Sequence, residues 1–83
     1  MQYVSWHREN QGQEMNLSRT EVNELIDEWI IGRNAERDRE ILRRRLIDGI
    51  TFEKLAEEFN LSVRQTKKIV YRGINTLSPH IRA

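Results

Sequence analysis

The chain has 83 residues, 37% of them apolar and 33% charged, with a net charge of +1 and no cysteine. That length suits one domain with a modest core, burying about 60–65% of the surface its unfolded form exposes, and leaves no room for a second catalytic domain or a deep substrate cleft. Without cysteine there is no disulfide framework and no thiolate metal site. His7 and His80 lack HExxH-like spacing, and no apolar run approaches the roughly 18 residues of a membrane span. No signal-peptide core opens the sequence, so a soluble cytoplasmic protein is expected, with no cofactor, no metal and no enzymatic activity.

Residues 1–16 (MQYVSWHRENQGQEMN) are polar, rich in Gln and Asn and without helical periodicity. They read as a flexible arm, from which Tyr3, Val4 and Trp6 could dock on the domain or reach a partner. Residues 17–83 read as an all-α, four-helix (tetrahelical) domain with connections of about two to four residues. Ser18 and Glu21 have capping-box spacing and open the first helix. Val22, Leu25, Ile26, Trp29 and Ile30 follow on one face, making Trp29 a core residue, and Gly32 stops the helix. Asn34 caps the second helix, whose apolar face is Ala35, Ile41, Leu42 and Leu46 and which Gly49 ends. Thr51 caps a short third helix with Phe52, Leu55, Ala56 and Phe59 inward. Ser62 and Gln65 form a second capping box and open a fourth helix running to about Leu77, with Pro79 beyond.

Residues 51–77 carry the spacing of a helix-turn-helix, with the recognition helix at about 62–77. Ala56 is the small residue where the second helix of the motif crosses the first. Asn60 takes the left-handed turn position where glycine is usual, and Leu61 plugs the gap between the helices. At about 100° per residue, Arg64, Lys67, Lys68, Tyr71, Arg72 and Asn75 fall on one side of the fourth helix. Thr66, Ile69, Val70, Gly73, Ile74 and Leu77 fall on the other.

Charge is unevenly placed. Residues 61–83 hold Arg64, Lys67, Lys68, Arg72 and Arg82 and no acid, whereas residues 18–32 hold Arg19 against Glu21, Glu24, Asp27 and Glu28. A basic face on a helix preceded by such a turn points to double-stranded DNA as partner. The candidate DNA-binding residues are Thr51, Ser62, Val63, Arg64, Gln65, Lys67, Lys68, Tyr71 and Arg72. Thr51 and Ser62 offer helix N-termini to phosphates, Arg64 and Lys68 read bases, and Lys67, Tyr71 and Arg72 hold the helix on the backbone. Arg45 is expected to pair with Glu53 or Glu57, while Arg43 and Arg44 point outward as solvated or phosphate-contacting groups. Glu53, Glu57 and Glu58 form a solvated face and not a catalytic pair.

The stretch NAERDREILRRRLIDGITFEKLAEEFNLSVRQTKKIVYRGINTL resembles region 4 of sigma-70 family factors, the part that reads the −35 promoter element. Arg39, Glu40, Ile41, Leu42, Arg45, Gly49, Thr51, Phe52, Glu53, Ala56, Ser62, Val63 and Lys67 stand in register with that family's pattern. LuxR-type response-regulator domains share much of it. Asn60 replaces the usual turn glycine and Thr66 the usual aliphatic residue. The family's base-reading positions correspond to Val63, Arg64 and Lys68, where primary factors carry Arg, Glu and Gln, so their site preference does not transfer. The sequence holds no counterpart of the family's promoter-melting region. The resemblance therefore implies a small stand-alone regulator of transcription, of phage or mobile-element type or associated with the bacterial nucleoid.

One helix in one groove reads about four or five base pairs, too few to single out a site. Two remedies are open. One is a homodimer through Ile31 and Trp29 at the edge of the first helix's apolar stripe. The other is docking on RNA polymerase through the acidic face of Glu24, Asp27 and Glu28. A protein-binding adaptor of the same fold, acting on RNA polymerase or a phage factor without DNA, is the alternative function.

Overall fold

A capping box sets the start of the helical body. In the computed structural model, which describes residues 3–8 and 13–81, Ser18 Oγ accepts from the Glu21 amide at 3.1 Å and Glu21 Oε1 accepts from the Ser18 amide at 3.3 Å. Helix α1 then runs over Arg19–Trp29. It ends one residue before the last position of its apolar stripe. Ile30 turns extended and is buried in the core, and the Arg39 guanidinium donates to its carbonyl at 2.7 Å. Gly32 follows at φ +117, a conformation side-chain-bearing residues rarely adopt.

Helix α2 spans Ala35–Leu46. Asn34 occupies its N-cap but makes no side-chain cap bond, so the expected cap is positional only. Glu36 and Asp38 in the first turn and Arg43, Arg44 and Arg45 in the last suit the helix dipole instead. After Gly49, at φ +68, Thr51 Oγ1 accepts from the Lys54 amide at 3.2 Å and starts α3, Phe52–Phe59. Asn60 is left-handed, and Leu61 N–H donates to Ala56 C=O at 2.8 Å while Asn60 N–H donates to Glu57 C=O at 3.4 Å. That pair of bonds is a Schellman closure. Ser62 and Gln65 exchange both capping-box bonds at 3.0 Å, opening α4, Val63–Leu77, which runs into a 3-10 turn at Ser78–His80. The connections between helices are three to five residues long, slightly longer than expected.

The four helices bury Val22, Ile26, Ile41, Leu42, Leu55, Val70 and Leu77 almost completely, with Leu25, Leu46, Phe59 and Leu61 packed around them. Helix α4 is the central element, packed on α1, α2 and α3. Its approach to α2 is close: a Cβ at Gly73 would lie 2.6 Å from Leu42 Cδ1. Thr66 is fully buried, and its hydroxyl donates to Ser62 C=O at 2.9 Å. A satisfied hydroxyl can therefore stand where an aliphatic side chain is usual.

The helical body agrees with the expected class, but the flexible arm does not. Tyr3–Arg8 (β1) and Gln13–Ser18 (β2) form an antiparallel hairpin, in a register that pairs Val4 with Leu17 and Trp6 with Met15. Alternation at positions 4, 6, 15 and 17 is the period of a strand, hidden by the polar residues around it. The hairpin is attached to the body because Leu17 lies in the core and Ser18 ends β2 while capping α1. Strand β1 packs on α1 and α2. Residues 1–2 and 9–12 of the expected arm, and Arg82, lie outside the described residues.

Candidate nucleic-acid interface

The exposed side of α4 begins where its cap ends. Arg64, Gln65, Lys67 and Lys68 are exposed, Tyr71 is 39% exposed and Val63 is partly covered. Arg64 and Lys68, one turn apart, form no ion pair among the described residues. Three cationic side chains thus stand together over the first two turns of α4 without a neutralising acid.

Ser62 and Thr51 are exposed, and their hydroxyls are engaged as caps. Gln65 Oε1 is likewise committed to the Ser62 amide. What these positions present outward is the pair of helix starts, whose first-turn amides lack intrahelical acceptors. Glu53 sits in the first turn of α3 and opposes an anion there, so the α4 start is the better of the two.

Phe52 joins the two helix starts. Arg45 stacks over its ring at 4.1 Å, Lys67 Nζ lies 5.6 Å from the ring centre, and Tyr71 meets it edge-on at 5.9 Å. A ring held between two cations and a second aromatic fixes Lys67 and Tyr71 relative to α3. Phe52 read as an ordinary core residue in sequence. The signal for its second role was the four-residue spacing of Lys67 and Tyr71 on one face of α4.

The arginine run of α2 is placed differently from expectation. Arg45 pairs with neither Glu53 nor Glu57: it donates to Ile50 C=O at 3.0 Å while covering Phe52. Arg43 bonds Asn23 at 3.0 Å and pairs with Asp27 on α1. Arg44 chelates Glu58 on α3 and approaches Asp48 at 3.9 Å. The hydrogen bonds Arg44 donates to the Glu58 carboxylate raise its pKa above the ordinary value. Arg43 and Arg44 are therefore neither simply solvated nor open to phosphate; they tie α2 to α1 and α3.

Arg72 lies on the flank of α4 nearest α2, its guanidinium 3.9 Å from Asp38. That distance is a loose contact and leaves the group 62% exposed. Trp29 is not core: it is 38% exposed and stacks on His80, ring centres 3.6 Å apart. Its position at the last residue of α1, just before the chain turns away, takes it off the buried stripe.

Among the described residues, no group of three His, Asp or Glu side chains could hold a metal ion, and no helix is long and apolar enough to cross a membrane. Comparison with models of protein families, with curated proteins and with solved structures returns no match.

Proposed function

We propose that this chain is a helix-turn-helix protein that binds double-stranded DNA and regulates transcription, with α3, the Asn60 turn and α4 as the motif and α4 as the recognition helix. The observation that carries the reading is the set of exposed cations, Arg64, Lys67 and Lys68, on the first two turns of a helix whose start is capped and whose crossing partner is α3. Arg64 and Lys68, free of competing acids, reach base edges. Lys67 and Tyr71, held by Phe52, rest on the phosphate backbone. The amides at the start of α4 receive a phosphate, and Arg72 reaches the backbone from the flank. Resemblance to sigma-70 region 4 supports the same assignment of α4 and a role in regulating transcription.

An adaptor acting without DNA is less well supported. On the exposed side of α4, Tyr71 is the one large apolar side chain left open among the described residues, whereas protein interfaces concentrate aromatic and apolar anchors and lack lysine.

The deciding experiment is fluorescence anisotropy of the full chain on mixed-sequence duplexes across a salt series. About four phosphate contacts give a log–log slope near −4. A slope near zero, or no binding at low salt, refutes DNA binding.

A further inference from the structure

The first two turns of α4 offer a base pair hydrogen-bond donors but no free carbonyl or carboxylate. Arg64 and Lys68 are exposed, and neither has a hydrogen-bond or ionic partner among the described residues. A guanidinium and an ammonium can only donate. Gln65 carries the one carboxamide here. Its Oε1 is committed to the Ser62 amide at 3.0 Å, which leaves the Nε2 hydrogens. Ser62 Oγ already accepts from the Gln65 amide at 3.0 Å, and α4 contains no acid. Two side chains further along the same side could accept. Tyr71 is turned edge-on against Phe52. Asn75 lies about 16 Å along the helix axis from Arg64, beyond the N-terminal residues with which a recognition helix meets base edges.

We propose that α4 selects guanine, with Arg64 and Lys68 each donating to the O6 and N7 edge of one guanine, at G·C pairs about two steps apart. The inference rests on the DNA-binding reading and narrows it from duplex DNA to major grooves that carry guanine. There guanine shows two neighbouring acceptors, adenine one acceptor beside a donor, and cytosine a donor alone. A donor-only surface satisfies the first, meets the second with donor against donor, and finds nothing to bond in the third. Lys68 lies within about 40° of Arg64 around the helix, so the groove that takes one takes the other. Their spacing along the helix sets the spacing of the bases. Four residues rise about 6 Å, close to two base-pair steps of about 3.4 Å. Lys67 is drawn away from this role, its Nζ lying 5.6 Å from the centre of the Phe52 ring.

Selection of the full chain on random duplexes tests it, followed by anisotropy on the selected site with single guanines replaced by 7-deazaguanine. That base keeps O6 and its pairing but lacks N7. The expected site carries two G·C pairs about two steps apart, and each replacement weakens binding about fivefold or more. Arg64→Ala should abolish the loss at one guanine and leave it at the other, and Lys68→Ala should do the reverse. Lys68→Gln, which introduces a carboxamide oxygen, should move its position from guanine toward adenine. Both residues are exposed and unpartnered, so these variants should keep the wild-type melt. A steep salt slope on a site that lacks the two G·C pairs, or whose guanines tolerate the replacement, overturns the guanine assignment and leaves DNA binding in place. Equal losses in the wild type and in both alanine variants overturn the roles of Arg64 and Lys68. Absence of binding at low salt overturns the inference together with the DNA-binding reading.

Discussion

Arg64 and Lys67 lie less than one turn apart on α4, yet they are held differently. Lys67 is drawn toward the Phe52 ring, while Arg64 projects from the second position of the helix without an ionic partner among the described residues. A tethered cation suits a contact that every sequence offers, and an untethered guanidinium suits a bidentate bond to one base. Arg64→Ala should therefore cost about 1–3 kcal/mol on the best site and relax preference at one position. Lys67→Ala should weaken all sequences alike and lower the salt slope by about one. Selection from random duplexes checks this: an unchanged motif for Arg64→Ala rules it out as a base reader. Gly73 carries the corresponding prediction for stability. A methyl group there meets both Leu42 methyls inside 2.8 Å, and Leu42 is fully buried. Overpacking costs about 1–3 kcal/mol against a gain of about 1 kcal/mol in helix propensity. Gly73→Ala should thus lower the melting midpoint modestly, and a raised midpoint would mean that Leu42 swings aside without cost.

At the scale of elements, the hairpin is the feature with a consequence for stability. Two strands alone are marginal in water, but β1 rests on α1 and α2 and β2 delivers Leu17 to the core. Deleting residues 1–12 should remove β1, expose the side of the body it covers and cost about 1 kcal/mol or more. An unchanged melt would show that the body is complete without it. This element was illegible because its period-2 alternation spans only four apolar positions amid Gln, Asn and charged residues. The helices were legible because caps and periodicity agreed: Ser18 with Glu21, Thr51, and Ser62 with Gln65 each bond at the helix starts their spacing implies. Asn60 was legible too, since few other side chains tolerate its φ of 56. The arginines of α2 were not. Whether Arg43 faces water or Asp27 depends on how α1 crosses α2, and sequence spacing within one helix carries no such information. The same holds for Arg45, whose partner proved to be a ring and a carbonyl. Ile31 was readable as an apolar residue beyond the buried stripe, but the apolar groove beside it arises from α1, α2 and α4 meeting and has no local signature.

For the whole molecule, the distribution of charge separates two surfaces. The ion pairs of α2 with α1 and α3 neutralise the middle of the body, leaving net positive charge on the start of α4, while the apolar groove opens on the flank of α4 that carries Ile69 and Gly73. A homodimer through Ile31 and Trp29, one of the two remedies open to a chain that reads so few base pairs, is tested on the same duplexes as DNA binding. The chain measures 34 × 26 × 24 Å along its principal axes. Its longest axis is about the length of one DNA turn, 34–36 Å. Binding two half-sites converts a four- or five-base-pair reader into one of useful specificity, and the second contact forms at the raised effective concentration of a tethered partner. Such a dimer would select an inverted repeat with half-site centres about 10–11 base pairs apart, bound at two chains per duplex. Ile31→Glu should keep the half-site motif and the salt slope per chain but lose the cooperative second step, so that binding to the repeat becomes two independent weak events. A titration of labelled repeat followed by stoichiometry from sedimentation distinguishes the cases. One wild-type chain per duplex on an asymmetric site would leave α4 as the reader while removing the dimer, and specificity would then have to come from a second protein bound at the same promoter.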